Sequence, residues 1–315
     1  MVYFTSMKTK IIFSVIFVIL VSAAIILLYK TRSGRPEIKN GRASLASRKR
    51  EWGKLEKAIG KKVTGFKGTV GIVIKDLDTG REIAFNKNTL MPSASLVKIP
   101  IMLSCFYAAQ DGKIGLKDIV SLKSSERVAG SKVLGNMPSG SRFTVEELFD
   151  PMITQSDNAA ANALIDVLGF DTLNGYFKKM GLRNTNIARH MMDFKEREEG
   201  EENYTSTADM AYLLEKLYRK QFLNREVSDR CLSLLGGQKI NDRIPRKLPR
   251  DGVFVAHKTG LERHVCHDVG IVYTQTGNFL ICVLVKHDSK LARPAKKFIS
   301  NIALLTYNYY RGLSK

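Results

Sequence analysis

The sequence predicts an α+β fold in which a five-stranded antiparallel sheet is flanked by helices and carries a second, all-helical lobe. Three observations lead there. β-Branched runs bounded by turn residues occur early in the folded part and again near its end. Between them apolar residues recur at three- and four-residue spacing, the period of helices packed on one face. The chain then closes on an amphipathic stretch long enough for one more helix.

Taken in order, residues 1–10 are a short flank, and residues 11–29 are an uncharged run of nineteen dominated by Ile, Val, Leu and Phe. A helix needs about twenty apolar residues to cross a bilayer, so this run can span one. Val21-Ser22-Ala23 offers small residues of the kind a signal peptidase accepts. Cleaved signals, however, have apolar cores of roughly 7–15 residues, and this run continues past that point. The expectation is an uncleaved transmembrane signal anchor at 11–29. Residues 30–50 are polar and basic without apolar periodicity, the character of a tether. The folded domain is expected over 51–315. One signal points the other way: the flank after the run (Lys30, Arg32, Arg35, Lys39) is more basic than the flank before it (Lys8, Lys10). By the positive-inside rule that favours a cytoplasmic domain.

Within the domain, residues 69–75 and 82–85 read as strands of a hairpin around Asp78-Thr79-Gly80. Residues 97–109, 145–154, 159–167 and 207–218 have the helical period. Residues 253–257, 269–273 and 279–285 are three more strands, and 294–310 is the closing helix. Pairing the early hairpin with the late strands makes one sheet and leaves the helical segment as the second lobe. A cleft between the two is the natural place for a site.

The chain has 50 Lys and Arg against 30 Asp and Glu, a net charge of +20. About half of that excess belongs to the first fifty residues, where Glu37 is the one acid. A basic surface fits an anionic membrane or cell-wall polymer. No zinc-finger spacing, RNA-binding signature or basic recognition helix accompanies it, so nucleic acid is not an expected partner. A hydrophobic fraction of 44% excludes a disordered chain. Cys105, Cys231, Cys266 and Cys282 show no CxxC pairing, and three lie in apolar runs. Buried free thiols are the simpler reading, although an even count permits disulfides.

Three short motifs carry chemistry. Ser95-Leu96-Val97-Lys98 opens the helix after the hairpin, Ser156-Asp157-Asn158 lies between two helices, and Lys258-Thr259-Gly260 ends a strand. A Ser and a Lys three apart share a helical face, which sets an amine against a hydroxyl. The hydroxyl is a poor nucleophile until a base takes its proton. Lys98 can be that base if burial and a positive neighbour such as Lys258 depress its pKa. Pro92 and Pro100 fit a chain that enters this helix abruptly. Ser156, Asp157 and Asn158 are all good N-caps, so capping and catalysis are compatible there. Gly260 keeps the strand edge free of a side chain, room for a substrate to lie along it.

In this order and on these elements, the three motifs resemble the S-x-x-K, S-D-N and K-T-G set of class A β-lactamases and penicillin-binding proteins. The resemblance covers about residues 51–315. It implies the β-lactamase/penicillin-binding-like fold, with Ser95 as nucleophile, Lys98 beside it, and no cofactor. It also implies that Ser156 relays a proton to the leaving nitrogen and that Asn158 holds the substrate amide and Lys98. Lys258 and Thr259 would recognise the carboxylate of a β-lactam or a D-alanyl-D-alanine terminus, with Arg263 as a further contact. The backbone N–H groups of Ser95 and Leu261 would form the oxyanion hole. His264, Cys266 and His267 could recommend a metal, but alternation along a strand turns them apart, so none is expected.

One departure matters. Class A β-lactamases carry a loop Glu, with a nearby Asn, that activates water for deacylation. The corresponding loop here, residues 189–205, has no E-x-x-L-N pattern. Asp193, Glu196 and Glu198 are the available acids, and Asp193 falls nearest the family position. The expected function is a class A β-lactamase-like serine hydrolase that opens β-lactam rings through a Ser95 acyl-enzyme. The alternatives are a D-alanyl-D-alanine carboxypeptidase or transpeptidase, and a sensor that is acylated without turning over. Such chemistry places the domain on the outer face of a bacterial cell membrane, as a monomer, against the positive-inside signal.

Overall fold

A computed structural model describes residues 45–313. The flank, the apolar run and residues 30–44 of the tether lie outside the described residues. Among those described, no helix is long and apolar enough to cross a membrane. Helix α1 (Leu45–Thr64) begins six residues before the expected domain start, so residues 45–50 belong to a helix rather than to the tether. Arg48, Lys49 and Arg50 carry no apolar periodicity, which hid this start. The anchoring residues Trp52, Leu55 and Ile59 come later, at three- and four-residue spacing, and are buried.

The hairpin follows as β1 (Thr69–Asp76) and β2 (Glu82–Phe85). Then come β3 (Met91–Pro92), a 3₁₀ turn over Ala94–Val97, and α2 (Lys98–Gln110). The lobe contains β4 (Ile119–Ser121), β5 (Arg142–Thr144), α3 (Phe149–Thr154), α4 (Asn158–Leu168) and α5 (Phe170–Lys179). Next are α6 (Phe194–Glu198), β6 (Tyr204–Thr205), α7 (Thr207–Tyr218) and α8 (Arg225–Gly236). A 3₁₀ turn at Ile244–Lys247 leads to β7 (Val253–Glu262), β8 (Val265–Thr274), β9 (Phe279–Lys286) and α9 (Arg293–Gly312).

The large sheet has five antiparallel strands in the order β2-β1-β9-β8-β7. β9 reads as an unbroken apolar run because both faces of the sheet are covered. Leu280, Cys282 and Leu284 face the lobe, whereas Ile281, Val283 and Val285 face α1 and α9. Each such side chain stabilises the fold by roughly 1.5–3 kcal/mol. Trp52 on α1 packs edge-on against Tyr309 of α9, and Phe66 against Phe298, closing the second layer.

The same alternation positions the site. Ala256 of β7 lies in the lobe-side core, so Lys258 and Gly260, two and four residues on, point to that side as well. The Lys258-Thr259-Gly260 motif does not end its strand, as expected from sequence. β7 runs on to Glu262 because β8 pairs with it throughout, from Val253↔Thr274 to Glu262↔Val265. β7 is also the edge of the sheet, so alternate backbone groups along it are left unpaired. The four cysteines are buried and unpaired with one another.

Candidate active site

Ser95 sits second in the Ala94–Val97 3₁₀ turn, which passes directly into α2 at Lys98. A 3₁₀ turn has three residues per turn and eclipses positions three apart, so Ser95 and Lys98 share one face. Ala94, just before the serine, has φ of 45°, a left-handed conformation that costs a residue with a Cβ about 1–2 kcal/mol. The surroundings hold it there. Ser93 N donates to Asn203 O at 2.7 Å, Leu96 N donates to Ser93 O at 3.0 Å, and β3 pairs with β6. Pro100 is tolerated at the third residue of α2, where an N–H would have no helical partner.

Ser156 also has a positive φ, 61°, in the short passage between α3 and α4. Asp157 makes that passage rigid. One oxygen caps α4 by accepting from Ala160 N, and the other accepts from Val133 N and Leu134 N. Ser156 and Asn158 are thereby turned toward the two lysines. Lys98 Nζ donates to Asn158 Oδ1 and to Ser156 O, both at 2.6 Å. Lys258 Nζ donates to Ser156 Oγ at 2.8 Å and to Thr259 O at 2.9 Å. The structure thus joins Lys98, Ser156, Asn158 and Lys258 in one hydrogen-bonded cluster beneath Ser95.

Both lysines are fully buried, and among the described residues neither forms an ion pair. Burial pushes Lys98 down to about 7, with Asp157 partly opposing the shift. Lys258 is held well below the ordinary lysine range by burial and then by the positive charges of Lys98 and Arg243, against Asp268. An amine that is substantially neutral near pH 7 can accept a hydroxyl proton. Lys258, linked to the cluster through the Ser156 hydroxyl, can also return a proton.

Gly260 has a different duty from the one its sequence context implied. A Cβ there would meet Leu96 Cγ, His267 Cδ2 and Ser93 O, all at 3.3 Å. The glycine lets β7 close onto the serine turn, which brings Leu261 near the turn that bears Ser95. Thr259 is buried, on the opposite face from Lys258, opposite Asp268 in the ladder.

Two residues that sequence reasoning left without a role belong to this region. His267 is fully buried and bridges the sheet to the serine turn: it accepts from Val285 N at Nδ1 and donates from Nε2 to Pro92 O at 2.8 Å. Burial lowers it to about 4, so it remains the neutral tautomer these bonds require. Arg243 is a buried guanidinium whose Nε donates to Cys266 Sγ. Its Nη1 lies 3.2 Å from Asp242 Oδ1 but out of line for a hydrogen bond. Arg263, the guanidinium the sequence nominated, is exposed at the β7–β8 turn, so the buried positive charge near Lys258 is that of Arg243. No motif surrounds Arg243, and only the folded chain brings it there. The group once considered for a metal diverges: His264 Nδ1 faces His287 O, Cys266 faces Arg243, and His267 faces Pro92.

In the loop after α5 the expected acid is placed as a helix cap. Asp193 is the N-cap of α6, accepting from Glu196 N, and no hydrogen bond ties it to the lysine cluster. Glu202 is consumed by Arg189 and Arg197, which also reach Glu262 of β7. The loop residue secured against α4 is Met191: its N donates to Asn162 Oδ1 at 2.7 Å, and Asn162 Nδ2 donates to its O at 3.2 Å. Asn162 is one helical turn beyond Asn158, on the same face of α4. Asn162 thus holds the backbone of Met191, a buried apolar residue, against the helix that also carries Asn158.

The model of a family described as the β-lactamase enzyme family matches residues 54–310. The chain belongs to that family. It is a class A β-lactamase-like serine hydrolase by its fold and motifs. The solved structure of PBP-A is 28% identical, with a TM-score of 0.75, covering 82% of this chain and 96% of that one. A β-lactamase from Sphaerobacter thermophilus is 29% identical, with a TM-score of 0.73, covering 82% and 97%. Among curated proteins, a β-lactamase from Bacteroides uniformis is 25% identical over 84% of this chain and 94% of its own length.

Proposed function

We propose that this protein opens β-lactam rings through a Ser95 acyl-enzyme and releases the product slowly. The observation that carries this reading is the Lys98–Asn158–Ser156–Lys258 cluster, two buried amines without a carboxylate in contact. Neutral Lys98 takes the Ser95 proton as Oγ attacks the lactam carbonyl. The developing oxyanion is met by the N–H groups of Ser95 and Leu261. Ser156 then donates its proton to the departing nitrogen and is replenished through Lys258. Lys258 in its protonated form, with the buried Arg243 charge nearby, supplies the positive field for the substrate carboxylate. Related proteins support the substrate class: a point mutant of PBP-A has been captured as an acyl-enzyme with penicillin G.

Slow release follows from the loop. Water attacking the ester needs a base, and Asp193 and Glu202 are engaged elsewhere while the loop residue held against α4 is the apolar Met191. The apolar run at 11–29 acts as a membrane anchor in this reading, with the domain on the outer face of the membrane. Intact-mass analysis after mixing with a penicillin tests the nucleophile. The wild-type protein is expected to gain one penicilloyl group and Ser95→Ala none. Labelling that persists in the variant would remove Ser95 from its role.

A further inference from the structure

We propose that the start of α9 and the Ile244–Lys247 turn form a docking site for the phosphate headgroups of an anionic bilayer. An open groove of about 760 Å³ lies between them, lined by Arg246, Lys247, Lys290, Arg293 and Lys297. No Asp or Glu lines it. Lys247 is satisfied by the neutral side chain of Asn301, and none of the five cations forms an ion pair among the described residues. The neighbouring Lys296, by contrast, is paired with Asp242 at 2.6 Å.

Folding does not account for this arrangement. A helix N-terminus carries partial positive charge, and acids or side-chain caps normally occupy its first turn. α9 begins with Ala292 as an N-cap that offers no side-chain bond, and its first turn has no acidic residue. Arg293, Lys296 and Lys297 instead add like charge to that end, an arrangement that an external anion would relieve.

A second feature selects a lipid surface over a soluble polyanion. Leu291, at the lip of the groove, is 69% exposed, the most exposed of the large apolar side chains in the described domain. An apolar side chain ringed by long cationic ones matches an interface where the leucine enters the acyl boundary and the cations meet phosphates. The placement is consistent with an anchored chain. The tether, residues 30–44, spans at most roughly 50 Å when extended, so it keeps the domain near the bilayer. The groove belongs to the α1/α9 side of the sheet, whereas Lys258 and the serine turn are on the lobe side, so docking leaves the cleft open. The location rests on the anchor proposed above; the groove itself does not.

The test uses the full chain in nanodiscs of phosphatidylcholine, with or without phosphatidylglycerol, read by hydrogen exchange. Exchange over residues 289–300 is expected to slow several-fold in the anionic discs, to recover in high salt, and to be insensitive to lipid in Arg293→Glu/Lys297→Glu. Penicillin labelling in that variant should match wild type, which shows that the fold is intact. Failure to enter discs at all reports on the anchor; the same chain mixed with phosphatidylglycerol vesicles then still reads the groove by exchange at 289–300. Identical exchange with and without phosphatidylglycerol would overturn the proposal. So would protection by soluble polyglycerol phosphate with none from the lipid, which would assign the groove to a polymer.

Discussion

Around Ser95 two buried lysines have no carboxylate in contact, whereas in the loop that begins at Arg189 the buried guanidinium is answered by two carboxylates. Lys98 and Lys258 reach hydroxyl, amide and carbonyl oxygens. Arg189, fully enclosed, is held between Glu202 at 2.7 Å and Glu262 at 3.1 Å, with Arg197 completing the set. Unpaired buried amines cost stability and gain chemistry, because burial makes them give up their protons more readily. A closed ion network fixes a loop to a strand and engages Glu202 and Glu262 with guanidinium groups. This difference is the basis of the proposal that the site forms an acyl-enzyme readily and hydrolyses it slowly.

The comparison can be broken most directly at Lys98. Lys98→Ala removes the base and should slow acylation by roughly 10³-fold or more, measured as the second-order rate of penicillin labelling. Labelling at an unchanged rate would mean that the cluster is a scaffold like the loop. The loop is tested by giving it a base. Met191→Glu places a carboxylate at the position Asn162 secures, and release of the acyl group should accelerate on the order of 10²-fold. No gain would show that position 191 does not face the ester.

Arg189→Ala should destabilise the fold by about 3–5 kcal/mol in denaturant unfolding, because Glu202 and Glu262 lose their shared partner in the interior. A loss below about 1 kcal/mol would mean that the network is solvated. The lysine side predicts a pH profile: with Lys98 lowered to about 7, its base form grows as pH rises through that value. Acylation should therefore be slow in acid, climb through about pH 7 and level off above it. A profile flat from acid to neutral would exclude a titrating amine base. The smallest effect is expected at Asp193→Ala, about 1 kcal/mol of stability from the lost cap, with acyl release unchanged.

Much of this was legible in the sequence. The hairpin, the three late strands and the principal helices follow from periodicity, because a sheet covered on both faces and helices covered on one leave distinct apolar patterns. The serine, the lysines and the S-D-N junction were visible as motifs. Asp193 caps α6, a role the sequence did not separate from that of a base because an N-cap and a water-activating base are the same residue type in the same kind of loop. Met191, Arg243 and His267 had no local signal: each acquires its place through contacts with Asn162, Cys266 or Pro92, distant in the chain. The extension of β7 past Gly260 was hidden because pairing with β8, rather than β propensity, makes residues 258–262 a strand.

The central claim is that the site acylates quickly and deacylates slowly, and a pre-steady-state time course with a chromogenic cephalosporin tests it most directly. The account predicts a burst equal to one equivalent of enzyme, followed by a much slower steady phase and a persistent acyl-enzyme in the intact mass. Rapid linear turnover with no burst and no accumulated acyl-enzyme would contradict it.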